Sequence, residues 1–207
     1  MPLDWRPPSR PAPAMPQGLT AWLQGSLERS ASADFWQACA LLHAWLLYLA
    51  VRYSLDTQYS GLFELVLAPI HEGGHVLFGP LGMFMGVLGG SLLQWLAPLF
   101  LAAGFVRQRD LYALSFSFFL FGAALNQSYC YMDSSFQMEK YPDMVFISLG
   151  SGEAIHDWQY IFGALGLYRG YTAVALLTRA MGLGFIWLAW LAGAWVLWKM
   201  SQRNSAQ

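Results

Sequence analysis

Apolar runs separated by short polar breaks divide this chain, and their lengths predict helices that cross a membrane, since a helical span needs about 20 mostly apolar residues. Residues 35–51 make the first run, closed by Arg52 and Tyr53, and residues 62–78 the second, closed by Gly79-Pro80-Leu81-Gly82. Residues 83–106 are apolar but rich in glycine. Part of that stretch is expected to be a re-entrant or loop segment beside the second span, followed by a span from about Leu92 that Arg107, Arg109 and Asp110 end. The Gly86 to Gly90 backbone is expected to leave an exposed edge. Residues 111–124 form a further run whose far end, Asn126-Gln127-Ser128, is polar. Residues 130–154 read as the longest polar connection, 155–167 as an amphipathic helix too short to cross unless buried, and 171–198 as a last long span. The pattern predicts an all-α, polytopic integral membrane bundle of five to six spans.

Composition agrees with that pattern. Apolar residues make up 57% of the chain and charged residues 11%, against roughly 25% charged in soluble domains. A net charge of −1 with scattered lysines and arginines gives no reason to expect nucleic acid. Lys and Arg divide almost evenly between the two sides of the predicted spans, so charge leaves the orientation open. Cys39 and Cys130, far apart, read as packing residues. Residues 1–33, with Pro2, Pro7, Pro8, Pro11, Pro13 and Pro16, predict a flexible arm; Leu19, Trp22, Leu23 and Leu27 allow a short helix on the membrane surface. No signal peptide is expected, because the first long apolar stretch begins only at Phe35. Residues 201–207 read as a polar tail.

Chemistry concentrates in the second run, at His71-Glu72-Gly73-Gly74-His75. On a helix, residues four apart share a face, so two imidazoles reach one metal ion while the glutamate serves as base for a water molecule. Three ionisable residues in a lipid-embedded segment are costly unless something binds or pairs them. A catalytic zinc has three protein ligands and an open position. His71 and His75 supply two, and the adjacent His156 and Asp157 are the candidates for the third, one as ligand and its neighbour as supporting partner. Asp133, Glu139 and Asp143 rank below them, because a polar connection explains those three without any function. The blander reading of Asp157 is a helix start that complements the dipole. Glu64 lies on the His71 face and either orients a ligand histidine or favours the start of its helix. Asn126 and Gln127 either hold substrate backbone or bond between helices. His43 reads as a hydrogen-bonded packing residue, and Arg179 as a side chain that snorkels or pairs with a carboxylate. Pro69 is expected to bend the motif helix.

The pentapeptide in an apolar helix, followed by Gly89-Gly90-Ser91-Leu92-Leu93-Gln94-Trp95-Leu96-Ala97-Pro98, resembles the site-2 protease family of intramembrane zinc metalloproteases. The resemblance covers roughly residues 62–167. It implies a membrane-embedded metalloprotease-like domain over 34–200, with zinc as cofactor and Glu72 as the catalytic residue. In that family an asparagine follows the motif helix, and Gln94 stands near its place. The family's third ligand is an aspartate on a later membrane segment; by chain order Asp157 is the counterpart, although the family's Leu-Asp-Gly does not follow the motif here.

The expected function is therefore that of an intramembrane zinc metallopeptidase hydrolysing peptide bonds of membrane-associated protein substrates through a zinc-activated water. Membrane lipids and a membrane-protein substrate are the expected partners; the oligomeric state is left open. A zinc-dependent hydrolase of a lipid amide or ester, or a non-catalytic metal-binding membrane protein, are the alternatives.

Overall fold

The structure is a computed structural model that describes residues 18–31, 35–59, 61–141 and 156–204. Among the described residues there are seven α-helices: α1 (Leu19–Ala31), α2 (Trp36–Leu55), α3 (Glu64–Phe78), α4 (Met83–Gln108), α5 (Leu111–Ser134), α6 (Asp157–Ala164) and α7 (Tyr171–Asn204). A 3-10 turn over Gly79–Leu81 links α3 to α4, and another covers Met138–Lys140. No strand occurs among the described residues. Three helices, α2, α4 and α7, are long and apolar enough to cross a membrane. At 15 residues, α3 is shorter than a full span.

Helices α5 and α7 form the centre. Their backbones touch at Gly122 and Gly182, where a Cβ on Gly122 would stand 2.7 Å from the Gly182 carbonyl, the close approach that small residues permit. Around this contact Leu46 and Leu49 of α2, Leu67 of α3, Phe119 of α5 and Ile186 of α7 make the main core. A second cluster, from Val87 of α4 through Met132 of α5 to Trp158 and Phe162 of α6, lies beneath the site described below. Leu41, Val76, Phe100 and Leu188 project outward and are exposed, an apolar exterior suited to lipid rather than water.

Several expectations change. The glycine-rich stretch after the motif is not a loop or re-entrant segment: it is the first half of the continuous helix α4. Gly82, in the left-handed region at φ 102°, starts that helix. Gly86, Gly89 and Gly90 then face α3 and act as contact surface rather than as helix breakers. Their peptide groups are spent in a helix, so they present no strand edge to a substrate. The polar end of the fourth run also stays helical, so the connection expected from residue 130 begins only after Ser134; residues 142–155, with Asp143, lie outside the described residues. Within the predicted arm, residues 19–31 are the helix α1, packed through Ser26, Ser30 and Ala31 with Leu19 and Leu23 exposed; residues 1–17 and 32–34 lie outside the description. The expected tail is helical as far as Asn204. Pro69 lies within α3 without ending it.

Two polar residues of the spans also find other surroundings. Arg179 has no carboxylate partner among the described residues. Its guanidinium donates to the carbonyls of Tyr53 and Ser54 at 3.2 and 3.3 Å, at the C-terminus of α2 where carbonyls lack helical partners, and lies over the Tyr129 ring. His43 is buried and stacked on Trp190 with ring centroids 5.0 Å apart, but its ring nitrogens have no hydrogen-bond partner among the described residues.

Candidate metal centre

Helix α3 buries one stripe, Leu67, His71 and Gly74, and exposes Leu65, Val66, Val76 and Leu77 on the other side. The 3.6-residue period thus turns His71 and His75 toward the bundle. Gly74 and Gly89 let α3 and α4 meet backbone to backbone, and a Cβ on Gly74 would fall on the Gly89 carbonyl. Gly90 forms the floor of the site. A Cβ there would stand 2.6 Å from the Nε2 atoms of both His71 and His75.

The third group comes from α6. Asp157 Oδ2 lies 3.0 Å from His71 Nε2 and 3.3 Å from His75 Nε2. Ligand atoms of His71, His75 and Asp157 all fall within 4.8 Å of one another, the only such group among the described residues able to hold a metal ion. The side chains of His71 and Asp157 are about nine-tenths buried, whereas His75 is 24% exposed. Glu72 is half-buried on the adjoining side of α3 and close enough to His75 and Tyr131 for its charge to act on both.

Hydrogen bonding around the imidazoles decides what the cluster can hold. His75 Nδ1–H donates to the Gly86 carbonyl at 2.8 Å. A backbone carbonyl only accepts, so the proton of the neutral ring sits on Nδ1 and the Nε2 lone pair faces Asp157. His71 Nδ1–H donates to Gln94 Oε1 at 3.0 Å, and the Gln94 amide NH₂ donates to Gln127 Oε1 at 2.7 Å. Two imidazole lone pairs and a carboxylate oxygen therefore converge at 3.0–3.3 Å. Such a convergence is repulsive unless a proton or a metal cation lies among the three. Ligands of a tetrahedral zinc stand about 3.3–3.6 Å apart, given bonds of about 2.0–2.2 Å. The two nitrogen–oxygen separations lie at or slightly below that spacing, the nitrogen and oxygen donors suit zinc, and each histidine has the hydrogen-bonded second nitrogen that metal-bound imidazoles use.

Of the two adjacent candidates, Asp157 alone joins the cluster. His156 is buried and turned to α5: its Nε2–H donates to Ser134 Oγ at 2.9 Å, whose hydroxyl donates to the Tyr131 carbonyl. Its Nδ1 accepts from the Gln159 N–H at 3.4 Å, which caps the start of α6. With both nitrogens so engaged, His156 stands outside the cluster as the cap of α6, and its ring stacks on Tyr131. The Tyr131 hydroxyl accepts from the Asp157 N–H at 3.4 Å. Helix α5 thereby holds the N-terminus of α6 against α3.

Other candidates fall elsewhere. Asp133 accepts from the Tyr141 hydroxyl at 2.6 Å, Glu139 is exposed in the 3-10 turn, and Glu64 sits in the first turn of α3. The ring nitrogens of the two histidines are oriented by Gln94 and Gly86 rather than by Glu64. Asn126 bonds within its own helix, to the Gly122 carbonyl at 3.0 Å, while Gln127 makes the interhelical bond. The signal for Gln94 was the resemblance, which sets it near an asparagine position. Gly86 acts through its backbone and leaves no mark in residue type. In comparisons with family models, with characterised proteins and with solved structures, no match to the chain was found.

Proposed function

We propose that the chain is an intramembrane zinc metallopeptidase of the site-2 protease kind, with His71, His75 and Asp157 holding zinc and Glu72 as the catalytic base. The observation that carries this is the convergence of two Nε2 lone pairs and Asp157 Oδ2, with His75 locked in that tautomer by the Gly86 carbonyl. When bound, zinc supplies a Lewis acid that polarises a carbonyl and acidifies water. Glu72, next to His71 in sequence and half-exposed, takes the proton of the attacking water and returns it to the leaving amine. Asp157 balances the charge of the ion and ties α6 to α3. Exposed Gly73 and partly exposed His75 make the α3 side the approach for water and substrate.

Lipid embedding follows from the apolar exterior. Besides α2, α4 and α7, we assign α3 with its 3-10 turn and the 24-residue α5 as spans, which makes five. Peptide bonds in a lipid-embedded helix are shielded because their carbonyls are already bonded, so a substrate must be presented unwound. With the glycines of α4 consumed in helix packing, that presentation falls to the open flank of α3.

The test is Glu72→Gln. It is expected to leave zinc binding unchanged and abolish turnover, read as new peptide termini within membrane-spanning segments when the protein is incubated with membranes. New lipid fragments instead of peptide termini would assign the site to an amide or ester lipid hydrolase. Products identical for wild type and Glu72→Gln would remove catalysis altogether.

A further inference from the structure

We propose that Gln127 of α5 is a positioning residue that sets the tautomer of His71 through Gln94, an inference that rests on the zinc-site reading above. A glutamine amide has a donor end and an acceptor end of nearly the same shape. Gln94 therefore fits beside His71 Nδ1 in two senses with opposite consequences. With Oε1 toward the ring, Nδ1 carries the proton and Nε2 offers its lone pair to a metal. With the NH₂ toward the ring, Nδ1 becomes the acceptor, the proton moves to Nε2, and the ligand is lost.

The structure holds the first sense, with Gln127 turning its acceptor end to Gln94. Gln127 Oε1 stands 2.7 Å from Gln94 Nε2, which leaves Gln94 Oε1 3.0 Å from His71 Nδ1. Gln94 is 3% exposed, so bulk water cannot substitute for that bond. His75 needs no such relay, since the Gly86 carbonyl has only an acceptor to offer. One ligand histidine is thus oriented by backbone and the other by two side chains from two helices. One turn along α5 from Gln127, the Tyr131 hydroxyl accepts from the Asp157 N–H. The 127–131 face of α5 holds both ends of the site without contributing a ligand.

The full-length protein, freed of metal in detergent, is titrated with zinc against a chromophoric chelator, and the cobalt-loaded form is read by its ligand-field spectrum. Gln127→Leu is expected to weaken zinc binding about 10–100-fold, the usual cost of losing a group that orients a ligand, and to alter the cobalt spectrum. Gln127→Glu keeps an acceptor for Gln94 and should bind as the wild type does. Gln94→Glu presents two acceptor oxygens and no donor end. In that background Gln127→Leu should no longer matter, a coupling that a packing defect would not produce. Wild-type affinity in Gln127→Leu, equal losses in Gln127→Leu and Gln127→Glu, or the same loss in both Gln94 backgrounds overturns the relay alone. A wild type that binds neither zinc nor cobalt overturns the metal site and the relay with it.

Discussion

His156 and Asp157 are neighbours with opposite duties, and the start of a helix separates them. His156 is the N-cap, its Nδ1 accepting from Gln159 N–H; Asp157, one residue on, is turned by the helix toward His71 and His75. His156→Ala is expected to cost about 1–2 kcal/mol through the lost cap while the metal content stays at the wild-type level; chemical unfolding and elemental analysis check the two halves. Loss of metal equal to that of Asp157→Ala would return His156 to the ligand set. The pentapeptide was legible in the sequence because four-residue spacing fixes its geometry on any helix. The choice between His156 and Asp157 was not, because it depends on where α6 begins. Gln94 was marked by its place in the resemblance and Gln127 as an amide for bonding between helices, but nothing in the sequence paired the two across 33 residues.

Glycine misled the reading of α4, and the reason lies in packing. Gly86, Gly89 and Gly90 lower helix propensity by up to about 1 kcal/mol each relative to alanine, which suggests a break. In the bundle they repay that cost by letting α4 lie against α3, with the imidazoles seated on Gly90. Gly90→Ala is accordingly expected to expel the histidines from their position, lowering zinc affinity severely and stability by about 1–3 kcal/mol. Gly104, in the same helix with nothing within 4 Å of an added Cβ, is the control: Gly104→Ala should leave metal binding intact and gain about 0.5–1 kcal/mol. Thermal unfolding with a zinc titration reads both, and equal behaviour of the two variants would deny Gly90 its role. Packing also explains why polarity did not end α5 at Ala124. Gln127, Ser128 and Tyr131 have partners across the bundle, Gln94, the Trp95 indole and Asp157, so a polar stretch stays helical where the chain seemed to leave it.

At the scale of the molecule, the helical class and the apolar runs were readable because lipid-sized helices require a length and composition that little else mimics. Which runs pack against which was not readable, since hydropathy marks what is apolar and not which neighbour buries it. The central pairing of α5 with α7 through Gly122 and Gly182, and the edge position that leaves one side of α3 exposed, belong to that second kind of information. Together they bring residues 71, 75 and 157 from two distant helices to within 4.8 Å. Elemental analysis of the purified full-length chain beside His71→Ala and Asp157→Ala tests that convergence most directly. Stoichiometric zinc in the wild type, lost in both variants, is the result expected of a site built from α3 and α6. A wild type without zinc, or a His71→Ala variant that keeps it in full, contradicts it.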